Sequence, residues 1–95
     1  MSYQEIDAII RDWADKYKLT LYTSYQDQEV RSVDVADPRG QKYQIWIDPP
    51  DRKGNVEVHA WDYSRKRKDY AVSINDLRRC LEDAYAVVLH WSRIN

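Results

Sequence analysis

Residues 33–47 read Val33-Asp34-Val35-Ala36-Asp37-Pro38-Arg39-Gly40-Gln41-Lys42-Tyr43-Gln44-Ile45-Trp46-Ile47. Apolar residues alternate with polar ones on both sides of Asp37-Pro38-Arg39-Gly40, the pattern of two half-buried strands meeting at a turn. The apolar residues of both arms carry odd numbers. Strand partners must therefore sum to an even number, because a slip of one residue turns every side chain to the opposite face. A two-residue loop at Pro38-Arg39 pairs Asp37 with Gly40, an odd sum. A three-residue loop pairs Asp37 with Gln41, sets Val35 opposite Tyr43 and Val33 opposite Ile45, and suits a type I turn with glycine in the left-handed position.

The same rule extends outward. Leu19/Leu21 form an earlier period-two run, and a loop Gln26-Asp27-Gln28 would set Leu21 opposite Val33. Val56/Val58/Ala60 form a later run. Around the loop Asp48–Asn55, Ile47 is expected opposite Val56, Ile45 opposite Val58 and Tyr43 opposite Ala60. A short fifth run, Tyr70–Ser73, follows. No interval is long enough for a crossover helix, so the strands are expected to form an antiparallel meander.

Helical periodicity brackets this region. Over residues 3–17, Ile6, Ile9, Ile10, Trp13 and Tyr17 make one apolar stripe, flanked by the i,i+4 pairs Asp7–Arg11 and Asp12–Lys16, with Ser2 as a cap and Glu5 three residues on. From residue 74, Ile74, Leu77, Leu81, Tyr85 and Val88 form a second stripe, widened by Cys80, Ala84, Val87 and Trp91, after a Ser73/Asp76 cap signature. The expected fold is an α+β two-layer sandwich, α-β-β-β-β-(β)-α, in a single domain over residues 1–95. Five strands at about 4.8 Å spacing span roughly 20 Å, room for two helices about 10 Å apart on one face. The other face is left open.

With this register the open face carries three rows: Tyr22–Ser32–Trp46–Glu57, Thr20–Asp34–Gln44–His59 and Ala36–Lys42–Trp61, with Tyr63 just beyond and Lys42 over the Trp61 ring. Tyr22, Lys42, Trp46, His59, Trp61 and Tyr63 are accordingly the candidate partner-binding residues. The expected function is that of a small non-enzymatic binding or regulatory protein, engaging a protein partner or forming a homodimer through this face. The chain has 8 Tyr and 4 Trp but no Phe, so each of its aromatic residues carries a polar handle suited to half-wet positions. The alternative is a nucleic-acid-binding module using Arg65, Lys66, Arg67 and Lys68, four consecutive cations flanked by aromatic residues.

Other classes find little support. Net charge is −1, with 6 basic and 9 acidic side chains in residues 1–50 and 9 and 7 in residues 51–95, so bulk attraction to polyanions is not indicated. The longest apolar run, Ala84–Leu89, is far short of the ~20 residues of a membrane helix, and the acidic start is unlike a secretory signal. One cysteine excludes an internal disulfide and multi-cysteine metal sites, pointing to a reducing cytoplasm. His59 and His90 have no Ser, Cys or Asp in a motif context that makes a nucleophile–base pair, the loop Asp48–Asn55 lacks calcium-loop spacing, and Gly40 and Gly54 belong to turns; no catalytic residue, metal or cofactor is expected.

The helix–strands–helix order resembles the double-stranded-RNA-binding domain in outline. That family's basic motif at the start of its last helix is missing: the helix opens Ser73-Ile74-Asn75-Asp76-Leu77-Arg78-Arg79, with an acid in the first turn, and there is an extra strand. No function is carried over.

Overall fold

The computed structural model describes residues 2–94, leaving Met1 and Asn95 outside. The elements are α1 (Asp7–Lys16), β1 (Leu21–Tyr25), β2 (Gln28–Ala36), β3 (Lys42–Ile47), β4 (Asn55–Trp61), β5 (Arg67–Ser73), a 3-10 turn (Ile74–Asp76) and α2 (Leu77–Ile94). The strands form one antiparallel meander in the order β1-β2-β3-β4-β5. Both helices cover one face, as expected. Ile6, Ile10 and Trp13 at the first helix and Leu77, Leu81, Ala84 and Val88 of α2 are fully buried against Val33, Tyr43, Ile45, Ile47, Val56, Val58 and Ala60 of the sheet.

The central hairpin forms as its parity requires. Val33 pairs with Ile45 and Val35 with Tyr43, Asp37 N–H bonds the Gln41 carbonyl at 2.9 Å, and Gly40 sits at φ +87°. The other two hairpins depart from expectation while keeping their faces. In the first, Leu21 does pair with Val33, but the loop has two residues: Gln26 and Asp27 both lie at positive φ and Tyr25 pairs with Gln28. That is the backbone of a type I′ turn, whose twist matches the flanking strands. The missing residue is recovered between Tyr22 and Ser24, where Val30 and Arg31 oppose Thr23 in a bulge.

The β3–β4 pairing is slid by two residues from the expected one: Ile45 faces Ala60 and Ile47 faces Val58. The cause is turn chemistry. Asp51-Arg52-Lys53-Gly54-Asn55 repeats the closure of Asp37–Gln41, with Asp51 N–H bonding the Asn55 carbonyl at 2.9 Å and Gly54 at φ +80°. Each aspartate carboxylate also accepts the two backbone N–H groups that follow in the loop, at 2.9–3.0 Å. The arms run on past Ile47, and Pro49-Pro50, which has no N–H to place in a ladder, absorbs the unmatched residue.

The helix ends also differ. α1 begins at Asp7 without a side-chain cap, and the Tyr3 carbonyl accepts from Ile6 and Asp7 instead. Tyr3 turns into the core, its hydroxyl donating to the Ile47 carbonyl at 2.9 Å. The expected pairs within α1 give way to pairs between elements: Asp7 with Arg31 of β2, Asp12 with Arg78 of α2, and Lys16 with Glu82 of α2. At the second helix the Ser73 hydroxyl meets the Asp76 carboxylate at 3.3 Å rather than a backbone N–H.

Candidate functional site

The slide of β4 rewrites the open face. Its central row is Tyr22–Ser32–Trp46–His59–Asp69, and the next is Asp34–Gln44–Trp61–Arg67. Lys42 is thus not over Trp61. It pairs with Ala36 and borders a smaller hollow with Asp34, Gly40, Gln41 and Tyr63. The cation that does sit over a tryptophan is Arg67, 5.2 Å from the Trp46 ring centre.

Over the central rows runs an open groove of about 680 Å³. Of the six candidate residues, Tyr22, Trp46, Trp61 and Tyr63 line it, with Tyr25 added from the first hairpin. Ser32 and Gln44 leave room on its floor, and its charged lining is Asp34, Asp48 and Arg31. Tyr22, Tyr25 and Tyr63 remain 47%, 66% and 43% exposed. Tyr63 takes φ +66°, a left-handed backbone that an aromatic residue adopts only when its surroundings insist. Here they do: its ring packs on Trp61 at 4.7 Å and its hydroxyl donates to Asp34 at 2.6 Å. Burial and the nearby Asp34 carboxylate both raise the Tyr63 pKa, keeping the phenol protonated.

His59 belongs to this face but not to its surface, being 7% exposed beneath Trp46, with which it stacks at 4.7 Å. Its Nδ1 lies 2.6 Å from Asp69 and its Nε2 2.9 Å from Asp48. Burial disfavours the imidazolium, but the hydrogen bonds and charges of Asp69 and Asp48 outweigh it and raise the pKa above its ordinary value. Asp69, held by His59 and by Arg67 at 3.0 Å, is correspondingly lowered. Both ring nitrogens are thus engaged by carboxylates within the fold, and neither faces the open groove as a free base. The ring's role is to fasten the end of β3 to β4 and β5 under Trp46.

A second charged anchor sits at the other margin. Arg31, 7% exposed, meets Asp7 through Nε at 2.6 Å and Nη2 at 3.1 Å, donates to the Val30 carbonyl at 2.7 Å, and lies 4.4 Å from the Tyr3 ring centre. The Asp7 pKa is lowered, first by the hydrogen bond from Arg31. Arg31 shares the odd parity of Val33 and Val35, and strand alternation puts it on the helix-facing side with them.

The last two residues of the basic run point to opposite faces of the sheet. Arg67 turns to the open face and pairs with Asp69, whereas Lys68, next along the strand, lies 5.3 Å from the Tyr70 ring centre. Cys80 is buried on the core-facing side of α2, and burial and the Asp83 charge push its thiol up to about 11, so it remains protonated. Among the described residues no helix is long and apolar enough to cross a membrane, and no group of three or more His, Cys, Asp or Glu side chains is placed to hold a metal ion.

Compared with known proteins, the chain matches no family model, no curated sequence and no solved structure.

Sequence reasoning missed Asp48 and Asp69 as the partners of His59; it placed Asp34 on the open face without its bond to Tyr63, and named Arg67 only within the basic run and not over Trp46. A signal for Asp69 and Arg67 existed: once Arg67–Ser73 is read as a full strand beside β4, its odd residues share the open face with His59 and Trp61. The run shows no clean polar alternation, so only its last four residues were legible as strand.

Proposed function

We propose that this chain is a small non-enzymatic binding or regulatory protein that works through the open aromatic face of its sheet, engaging a protein partner or a second copy of itself. The observation that carries the reading is the groove itself: aromatic walls, a floor of small and polar side chains, and three tyrosines left substantially in water on the face both helices leave bare. The strained Tyr63 backbone supports it, since strain is retained where a side chain must be aimed. A binding role also agrees with His59 and Cys80, whose reactive atoms are committed or buried. The single cysteine, held as a thiol, suits a reducing cytoplasm.

Magnitudes define what such a partner must do. Three rings each losing about 100 Å² to a partner yield roughly 7.5 kcal/mol at ~25 cal/mol per Å². Association itself costs ~4–15 kcal/mol, so the groove's rim must contribute as well.

The test is affinity capture with quantitative mass spectrometry, paired with sedimentation velocity. Ser32→Arg fills the groove floor without removing any core atom, and Arg79→Glu on the exposed side of α2 serves as control. A partner, or a dimer, held by the parent chain and by the control but lost with Ser32→Arg is the expected result. A monomer whose captured proteins are indifferent to Ser32→Arg would reject the reading.

A further inference from the structure

We infer that the groove is a receptor for the cationic side chains of an extended polypeptide segment, which docks by adding a strand to the free edge of β1. This rests on the open-face reading above and gives it a ligand chemistry. The first observation is the electrostatics of the aromatic box. Asp34 is a partly buried carboxylate whose hydrogen-bond partner is the Tyr63 hydroxyl, and no Lys or Arg forms an ion pair with it among the described residues. The other charged side chains of the groove are already balanced: Asp48 by His59, Arg31 by Asp7. What the box offers a guest is one carboxylate beside the π-faces of Tyr22, Trp61 and Tyr63, the pairing that attracts a guanidinium or ammonium. The molecule uses that chemistry on itself at the groove margin, where Arg67 lies over Trp46 and Arg31 over Tyr3.

The second observation is independent of the box. The sheet has two edges, and they are not alike. β5 opens with Arg67-Lys68-Asp69, charges of the kind that discourage strand addition. β1 reads Leu21-Tyr22-Thr23-Ser24-Tyr25, with no charge and no proline, exposed from Tyr22 onward and paired on one side only. An added strand forms backbone hydrogen bonds there and sends alternate side chains over the open face beside Tyr22, next to the box. Those hydrogen bonds supply the rim contribution that ring burial alone lacks. A basic guest also matches the exposed acids of the adjoining hairpin, Asp27 and Glu29.

The experiment is selection of a phage-displayed library of random ten-residue peptides on the parent chain, followed by binding measurements on the enriched sequences. Arg or Lys at alternate positions is the expected enrichment. Asp34→Asn, which keeps the Tyr63 contact isosteric, should weaken an enriched peptide about tenfold with the melting temperature unchanged, and a tenfold loss should also follow N-methylation of alternate backbone amides in the peptide. Enrichment without basic residues, no enrichment, or indifference to Asp34→Asn each overturns the inference. So does a homodimer dissolved by Ser32→Arg, which would make the occupant a second copy. In those cases a capture result that still depends on Ser32 leaves the open-face reading standing; if that dependence is also absent, both fall.

Discussion

At the scale of single residues, two charged anchors define the ends of the working face, and their sign of pH dependence differs. His59 has a raised pKa in the fold, so its contribution to stability is full below the ordinary imidazole value of 6.5 and is lost as pH rises through the folded value. The urea midpoint should therefore fall as pH is raised above 6.5, and His59→Gln should flatten that decline; superimposable profiles would show that the imidazolium is not bound between Asp48 and Asp69. Asp7 is the opposite case. Its pKa is lowered, so its contribution is present above the ordinary carboxylate range and lost as pH falls through the depressed value. Asp7→Ala strands a buried guanidinium and should cost roughly 2–3 kcal/mol at neutral pH, at or below the usual cost of breaking a buried pair because Asp7 is 25% exposed. Thermal or urea melts read this directly, and a change under ~0.5 kcal/mol would mean Arg31 finds other acceptors.

At the scale of elements, the hairpins 37–41 and 51–55 share one device: an aspartate whose carboxylate collects two loop N–H groups and a glycine at positive φ. A Cβ on Gly40 would meet nothing within 4 Å, so any penalty there is a backbone penalty alone. Gly40→Val should cost more than ~1 kcal/mol in a denaturant melt. An unchanged midpoint would show that the loop closes by another route. The strands make a sharper claim about faces. Val58 is fully buried opposite Ile47, whereas Glu57 one residue earlier is exposed. Val58→Asp should destabilise by several kcal/mol and Glu57→Lys should be near silent; equal effects would place the wrong side of β4 against the helices.

For the whole molecule, the two layers sort the tryptophans. Trp13 is fully buried between α1 and α2, edge-on to Tyr85, while Trp46 and Trp61 lie half-buried in the groove. Single-tryptophan variants should show blue-shifted, quencher-resistant emission from Trp13 and red-shifted, acrylamide-accessible emission from Trp61, with protection of Trp61 once a guest fills the groove. Resistance of Trp61 to acrylamide in the free monomer would mean that another part of the chain already occupies the face.

The sequence by itself determined which side of β2, β3 and β4 faces the helices, the loop at Pro38–Gly40 and the two amphipathic stripes. Those are local facts: alternation, helical period and turn chemistry all act within about ten residues. It also placed Tyr22, Trp46, Trp61 and Tyr63 on one face. Only the tertiary structure decided how the rows line up, because parity is indifferent to a slide of two residues. Expected and observed β3–β4 registers bury the same side chains, and the choice between them fell to Asp51, Gly54 and the Pro49-Pro50 step. With that choice came His59 beside Trp46, between an aspartate at the end of β3 and one from β5. Arg31 likewise, facing inward by its parity with Val33, meets Asp7 across 24 residues only when the first helix settles against the sheet. Such pairings are set when distant segments settle into one core, and no local pattern in the chain encodes them.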